Sequence, residues 1–283
     1  MRRTTGGAPK ARALGAELRE AREATGRSMR ALARDLETNH VKLQRYETGE
    51  IVPKPELVAT YLTALGVSAA ERDRLVEMAR DADQEDWLST TKSGSRKELT
   101  MLVEFERTAT NISDIATGVI PGLLQTADYA RAIMHGLPLN EVETLVLMRV
   151  GRREILAKKN APRFTAILAE SALWELIGGR EVMVEQLEHV IHMSERPNVD
   201  VRVVRSGATR WHPAHMGSFT VYEFAKANPI VHMEHYRSSA SLTNSGIANE
   251  YLNAVQDLTN IAMSTEQSIE FIAERIDNLK EAR

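Results

Sequence analysis

The segment His40 to Thr48 is predicted to be a short helix with two chemically different sides. At 100° per residue, one side carries long hydrogen-bonding side chains and one small apolar side chain: His40, Val41, Gln44 and Arg45. The opposite side, with Leu43 and Tyr46, is apolar enough to pack on a protein. Such a helix can enter the major groove of DNA and form hydrogen bonds to base edges. For a helix taken by itself, an ordinary solvated surface is the commoner explanation of such a polar side.

The preceding helix favours the nucleic-acid interpretation. After Ser28, a good N-cap, apolar residues recur at i, i+3, i+4 and i+7, namely Met29, Leu32, Ala33 and Leu36. Arg30 and Arg34 point away from that apolar face. Residues 37–39 form a tight break, Asn39 can cap the second helix, and Gly49 can end it. The pattern predicts a helix-turn-helix.

The segment Leu14–Val58 resembles the XRE (lambda-repressor and Cro) type of helix-turn-helix domain. The matching residues are Leu14, Leu18, Arg22, Leu32, Ala33, Glu47, Gly49 and Pro53. The resemblance implies a mainly α, five-helix, lambda-repressor-like DNA-binding domain, which we place at residues 1–82. It also implies a buried ion pair between Arg22 and Glu47. Its base-reading positions fall on the third helix, at His40, Val41, Lys42, Gln44 and Arg45.

Two positions depart from this family. The family usually has Gly in the turn where this chain has Glu37, and a left-handed backbone there would cost Glu about 1 kcal/mol more than Gly. A Gln that often contacts phosphate is Met29 here. The residues that we predict to contact DNA, at base edges or phosphates, are Ser28, Arg30, Asn39, His40, Val41, Lys42, Gln44, Arg45 and Lys54.

Composition and charge agree with this assignment. The chain of 283 residues is long enough for two domains, and its hydrophobic fraction of 43% supports a real core. Residues 1–54 contain 12 Lys and Arg against 7 Asp and Glu, whereas the rest of the chain contains 24 against 32. Only the front of the molecule is therefore expected to meet phosphate. Without cysteine, signal peptide or membrane-spanning run, the protein is expected to be cytoplasmic and nucleoid-associated, with no membrane partner.

The remainder is predicted to be a polar linker at residues 83–97 followed by an α+β domain at residues 98–283. Hydrophobic spacing predicts helices at Glu98–Thr117, Thr126–His135, Asn140–Lys159, Arg180–Glu195, Gly246–Ala262 and Thr265–Lys280. Alternation predicts strands at Phe164–Ala169, Val199–Val203, Ser218–Phe224 and Ile230–Glu234, the last two as a hairpin. These strands would form a small, mainly antiparallel sheet.

This half also resembles a known group. The segments Ile120–Ile133, with the string IPGLLQT-x-x-YA, and Gly217–His235 are similar to a C-terminal domain of uncharacterised function in many actinomycete regulators. That group joins the domain to an XRE-type helix-turn-helix, and some members are described as antitoxin-like, encoded beside small partner proteins. The resemblance implies a domain that receives a signal, without saying which.

Three histidine pairs in this half could hold a metal: His189 and His192, His212 and His215, and His232 and His235 with Glu234 between. They fall on three different elements, and separate, hydrogen-bonded histidines are the simpler interpretation, so we predict no metal and no cofactor. Four aromatic residues could line a ligand pocket or fill the core: Trp174, Trp211, Tyr222 and Phe224. No catalytic motif is present, so an enzyme is not expected.

The sequence as a whole predicts a sequence-specific transcriptional regulator that binds double-stranded DNA, as a homodimer. Its second domain would modulate DNA binding through a small-molecule effector or a small protein partner. An alternative is an antitoxin-like protein that neutralises a small neighbour-encoded protein and regulates its own operon. A more remote alternative is a metal-dependent enzyme domain tethered to DNA.

Overall fold

A computed structural model describes residues 9–81, 87–89, 96–136, 139–207, 210–225, 227–236 and 238–281. Most of the predicted linker, residues 83–97, lies outside these ranges. The described part contains a helical N-terminal half and an α+β C-terminal half, as the sequence predicts. No described helix is both long enough and apolar enough to cross a membrane.

The described N-terminal half consists of five helices. They are α1 (Pro9–Ala24), α2 (Met29–Asp35), α3 (His40–Glu47), α4 (Pro55–Ala64) and α5 (Ala69–Asp81). Their apolar faces meet in one core that includes Leu14, Leu32, Leu43, Tyr61 and Leu75. Burial of these side chains on one face of each helix is the main force that assembles a bundle of such short helices.

Two glycines let α1 approach α3 more closely than any side chain allows. A Cβ atom on Gly15 would lie 2.6 Å from the carbonyl oxygen of Tyr46. At the end of α3, Gly49 has φ +71°, and a Cβ there would lie 2.7 Å from the Cα of Arg12. The Gly49 position therefore combines a left-handed backbone with a close backbone contact, and both favour glycine.

The described C-terminal half is built on a seven-stranded mixed sheet with strand order β1-β7-β6-β5-β2-β3-β4. The strands are β1 (Trp87–Ser89), β2 (Asn111–Ala116), β3 (Arg163–Ala169), β4 (Val199–Val204), β5 (Phe219–Glu223), β6 (Ile230–Glu234) and β7 (Ser239–Leu242). The β2-β3 and β3-β4 pairs are parallel and the others antiparallel, so the sheet is mainly antiparallel. The predicted β5-β6 hairpin is confirmed.

Helices cover both faces of this sheet. They are α6 (Arg96–Thr108), α7 (Ala127–Ile133), α8 (Leu139–Arg152), α9 (Ser171–Trp174), α10 (Arg180–Ser194), α11 (Ser245–Ile261) and α12 (Thr265–Glu281). Side chains of α6, α10 and α12 share the larger core with one face of the sheet. The other face packs against α11. Both faces of the central strands are therefore buried.

Three parts of the predicted secondary structure differ from the structure. The predicted helix Glu98–Thr117 is wrong after Thr108, because β2 pairs on both sides, with β3 and β5, and is stabilised by those partners. The helix predicted to reach Lys159 ends at Arg152 and is followed by a 3-10 turn. Strands β1 and β7 were not predicted, and β1 falls within the predicted linker, where its backbone pairs with β7.

Candidate functional site

Helix α3 exposes the side chains that were predicted to contact DNA. The exposed residues are His40, Val41, Lys42, Gln44 and Arg45. Val41 keeps 48% of its surface exposed although it is apolar. The opposite face of α3, with Leu43 and Tyr46, is buried in the five-helix core. The helix therefore presents a continuous surface of hydrogen-bonding groups around one small apolar side chain.

Ser28 and Asn39 each cap a helix of the helix-turn-helix. Ser28 Oγ accepts a hydrogen bond from the backbone N–H of Ala31 at 3.2 Å. Asn39 Oδ1 accepts one from the backbone N–H of Val41 at 2.8 Å. The hydroxyl hydrogen of Ser28 and the amide hydrogens of Asn39 remain donors. Capping therefore leaves both side chains free to donate a hydrogen bond to a phosphate oxygen.

The cationic side chains of the surface are held only weakly. Arg45 Nε donates to Glu50 Oε2 at 3.0 Å, and both side chains are at least half exposed. The Lys42 ammonium lies 5.9 Å from the centre of the Tyr46 ring. Arg30 and Lys54 are exposed on α2 and just before α4. Exposed ion pairs contribute little to stability, so Arg45 can leave Glu50 at little cost when a stronger acceptor is present.

A buried ion pair fixes α3 to its neighbours. Arg22 of α1 forms two hydrogen bonds with Glu47 of α3, Nε to Oε1 at 2.7 Å and Nη2 to Oε2 at 2.9 Å. The Tyr61 hydroxyl of α4 donates to the same Glu47 Oε1 at 2.5 Å. Burial, followed by the hydrogen bond with Glu47, raises the pKa of Tyr61 far above its usual value. The carboxylate thus joins three helices and sets the orientation of the exposed face.

The C-terminal half contains a cavity of about 630 Å³ between the sheet, α8 and the loops around α7. Its floor is a row across three strands, because Asp114 of β2 pairs with Thr220 of β5, and Thr220 pairs with His232 of β6. Glu234 follows His232 on the same face of β6 and also lines the cavity. Period-two alternation in the strands explains why these polar side chains share one face.

Charged groups line the wall of this cavity. Arg152 binds both oxygens of Glu106, with Nε at 3.1 and 3.0 Å, and both side chains are buried. Arg149 Nη1 donates to Gln125 Oε1 at 3.1 Å, whereas its buried Nε has no hydrogen-bond partner among the described residues. Burial lowers the pKa of Arg149. Unpaired buried polar groups are costly, so the buried Arg149 Nε leaves a hydrogen-bonding capacity that the described residues do not satisfy.

Helix α6 joins the cavity to the helix-turn-helix half. On one side, Leu102 lines the cavity and Glu106 holds Arg152. On another, Glu104 forms an ion pair with Arg19 of α1. Arg12 of α1 donates to Thr108 Oγ1 at 3.3 Å.

The strand that lines the cavity also reaches α1. The Arg12 guanidinium lies 3.6 Å from the centre of the Phe224 ring, directly after β5. Tyr222, two residues earlier, lines the cavity. Two of the elements that line the cavity, α6 and the end of β5, thus also contact α1.

The predicted histidine pairs do not converge. His189 lies 2.5 Å from Arg153 Nη1, and His212 and His215 stack on each other with ring centres 3.7 Å apart. His232 instead approaches Glu98 and Glu234, and among the described residues none of the other predicted histidines joins that group. Glu98 was not singled out from sequence, because it lies on α6, far along the chain from β6.

The four candidate aromatic residues have different environments. Tyr222 lines the cavity, and Phe224 packs under Arg12. Trp174 is about half exposed, with its indole N–H donating to Glu170 at 3.2 Å. Trp211 is exposed. Of these four described residues, Tyr222 alone lines the cavity and supports the pocket interpretation.

Comparison with known families matches both halves. A family described as a domain of unknown function (DUF5753) matches residues 99–274, more than half of the chain. The chain belongs to this family. A helix-turn-helix domain family matches residues 13–75 of this DUF5753 protein. The predicted pairing of a helix-turn-helix with a C-terminal domain of unknown function is thereby confirmed, and the helix-turn-helix supports a DNA-binding role.

Comparison with individual proteins adds little about the DUF5753 protein. No curated protein matches the chain. A solved structure of TrmBL2, described as an archaeal chromatin protein with a novel mode of DNA binding, is 12% identical with a TM-score of 0.30. The match covers 74% of this chain and 65% of the TrmBL2 chain, so it spans less than two thirds of that structure. A TM-score this low does not indicate a shared fold or a shared function.

Proposed function

We propose that this DUF5753 protein is a sequence-specific, DNA-binding transcriptional regulator. The observation that carries the proposal is the exposed face of α3, which the Arg22–Glu47–Tyr61 contacts hold in a fixed orientation. A rigid helix with exposed hydrogen-bonding groups is what readout of base edges in the major groove requires.

Each exposed group has a defined role in this proposal. His40, Gln44 and Arg45 form hydrogen bonds to base edges, and Val41 contacts a thymine methyl group. Arg30, Lys42 and Lys54 neutralise phosphates. Ser28 and Asn39, at the starts of α2 and α3, donate to phosphate oxygens, where the positive ends of the helix dipoles reinforce them.

The regulator acts as a homodimer in this proposal. A single helix-turn-helix buries a small surface on DNA, and specificity normally comes from two half-sites about one helical turn apart. The C-terminal half provides the dimer contacts and receives a small polar molecule in its cavity. The protein is then a binding protein rather than an enzyme.

Signal transfer in this proposal runs through α6. A ligand that contacts Arg149 and the polar floor shifts Leu102 and Glu106 on the cavity side of α6. Glu104 and Thr108 on the same helix contact α1, so the shift reaches the helix-turn-helix. A thermal-shift screen with polar metabolites should yield a compound that stabilises the protein and changes its affinity for the operator. The same compound should neither stabilise Arg149→Gln nor change the operator affinity of that variant.

The DNA-binding proposal is tested with one matched pair of arginine variants. Genome-wide immunoprecipitation first identifies the bound sites, and fluorescence anisotropy then measures affinity for the shared motif. Arg45→Ala should weaken binding by roughly 1–3 kcal/mol and relax one base position. Arg80→Ala is the control, because Arg80 on α5 is also an exposed arginine paired with a glutamate, Glu77. Equal affinity of Arg45→Ala and the control would overturn this docking.

A further inference from the structure

Glu98 lies close to two residues that line the cavity, His232 and Glu234. His232 and Glu234 lie on the same face of β6, and Glu98 reaches them from α6. His232 Nε2 lies 3.7 Å from Glu98 Oε1 and 3.8 Å from Glu234 Oε1. One ligand atom from each residue lies within 4.8 Å of the other two.

These separations are too long for direct hydrogen bonds and suit atoms that share a cation. Hydrogen bonds between nitrogen and oxygen have heavy-atom distances of roughly 2.7–3.2 Å. Zinc binds histidine nitrogen and carboxylate oxygen at about 2.0–2.2 Å, so two ligands of one zinc ion are usually about 3–4 Å apart. The observed distances from His232 Nε2 to the two carboxylates fall in that range.

The burial and the hydrogen-bond partners of His232 also favour a cation at this position. The residue is only 3% exposed, and its Nδ1 lies 2.9 Å from Ser241 Oγ on the neighbouring strand. Nε2 has no hydrogen-bond partner among the described residues. When Nδ1 of a neutral ring donates its hydrogen to Ser241, the Nε2 lone pair faces two carboxylates, and a cation between these atoms would offset their mutual repulsion. A hydrogen bond at the far nitrogen is also the usual way in which proteins orient a metal-binding imidazole.

We propose that Glu98, His232 and Glu234 bind a divalent first-row transition metal, with Zn²⁺ as the best-matched ion. The imidazole ligand favours such a metal over Mg²⁺ and Ca²⁺, which prefer oxygen ligands. Three protein ligands leave at least one coordination position open toward the cavity. The proposed site differs from the expectation from sequence that the chain binds no metal, and it does not depend on the DNA-binding proposal.

The site also ties two elements together. Glu98 belongs to α6, whereas His232 and Glu234 belong to the sheet, and α6 contacts α1 through Glu104. A bound metal would therefore fix α6 against the sheet at the cavity end.

The test uses the full chain and Zn²⁺ itself. The protein is stripped with a chelator, dialysed against Zn²⁺ and analysed by mass spectrometry for metal per chain, with affinity from chelator competition. We expect one ion per chain, and Co²⁺ in its place should show the visible absorption of a low-coordinate site. Glu234→Gln and Glu98→Gln preserve side-chain shape and should each weaken binding by at least about tenfold.

Matched controls separate this site from surface binding. His235→Gln removes a neighbouring histidine that lines the cavity outside the three-residue group, and His215→Gln breaks the stacked surface pair. Both should keep wild-type affinity. Wild-type protein that retains much less than one ion per chain would overturn the proposal. So would full affinity in Glu234→Gln, or a loss of binding in His215→Gln. Circular dichroism identifies any variant that fails to fold, and Glu234, which is 40% exposed, tolerates substitution best.

Discussion

Glu37 has a backbone conformation that its side chain disfavours. Its φ of 48° is the only positive φ of a non-glycine residue in the described ranges. The left-handed region costs residues with a Cβ about 1–2 kcal/mol. The turn keeps this conformation because Leu36 must end α2 and Asn39 must cap α3 only three residues later.

Glu37→Gly should therefore stabilise the protein. We expect the free energy of unfolding to rise by about 1 kcal/mol, because relief of the backbone strain exceeds the entropy that glycine adds to the unfolded chain. Urea denaturation of the full chain measures the change. Glu37→Ala is the control, since alanine carries the same Cβ and should gain little. An equal gain in both variants would contradict the backbone explanation.

Asp114 should make stability depend on pH. Burial, and then the charge of Glu234, raise its pKa from 3.8 to about 7; Glu106 adds to this, while Arg152 and a hydrogen bond with Thr220 oppose it. Between pH 4 and pH 7 the native state holds more protons at Asp114 than the unfolded state. The free energy of unfolding contributed by this residue therefore falls as pH rises through that window.

Asp114→Asn removes the titrating carboxyl group, so comparison with wild type should show how this residue makes the free energy of unfolding depend on pH. The stability of the variant relative to wild type should increase steadily from pH 4 to pH 7 in urea denaturation. Asp128→Asn, at an exposed position on α7, is the matched control for the loss of a carboxylate. A constant difference for Asp114→Asn would mean that Asp114 is ionised throughout.

At the scale of elements, α1 belongs to two cores. Its residues Leu14 and Leu18 pack inside the five-helix bundle, whereas Ala13 belongs to the main core of the C-terminal half. Arg12 lies between the halves, buried beside Thr108 and over the Phe224 ring. The two halves should therefore unfold together.

Arg12→Ala should separate their unfolding. Loss of the stacked guanidinium and of its alkyl packing weakens the contact between α1, α6 and the end of β5. We expect differential scanning calorimetry to show one main transition for wild type and two for the variant. Arg27→Ala is the control, because Arg27 forms an exposed ion pair within the helix-turn-helix half. One unchanged transition in Arg12→Ala would show that other contacts hold the halves together.

At the scale of the whole molecule, charge is divided between the two ends of the chain. Residues 1–54 carry an excess of basic side chains, and the remainder carries an excess of acidic ones. The acidic part repels DNA phosphates, so the molecule should approach DNA with α3 foremost.

A dimer should read two half-sites. We expect analytical ultracentrifugation to give twice the chain mass, and the bound genomic sites to share an inverted repeat with centres about 34–36 Å apart. A monomer bound to a single half-site would contradict the homodimer.

Lys54→Ala should lower the salt dependence of DNA binding without changing the preferred sequence, because a phosphate contact is lost.

Much of the secondary structure could be predicted from local pattern. Both caps of the helix-turn-helix, its two helices and the last two helices of the chain agree within a few residues, because each has an amphipathic period and a capping residue. Strand β2 could not be predicted in this way. Ile112, Ile115 and Ala116 fit a helical spacing as well as a strand buried on both faces, and only the pairing with β3 and β5 decides between them.

The sequence by itself determined the exposed face of α3, because His40, Val41, Gln44 and Arg45 lie within one short helix whose period places them together. The cavity was decided only by the tertiary structure. Asp114, Arg149 and His232 are far apart along the chain, and they meet because two parallel crossovers and a hairpin bring their elements to one side of the sheet. Strand order and register are long-range properties that no local period contains.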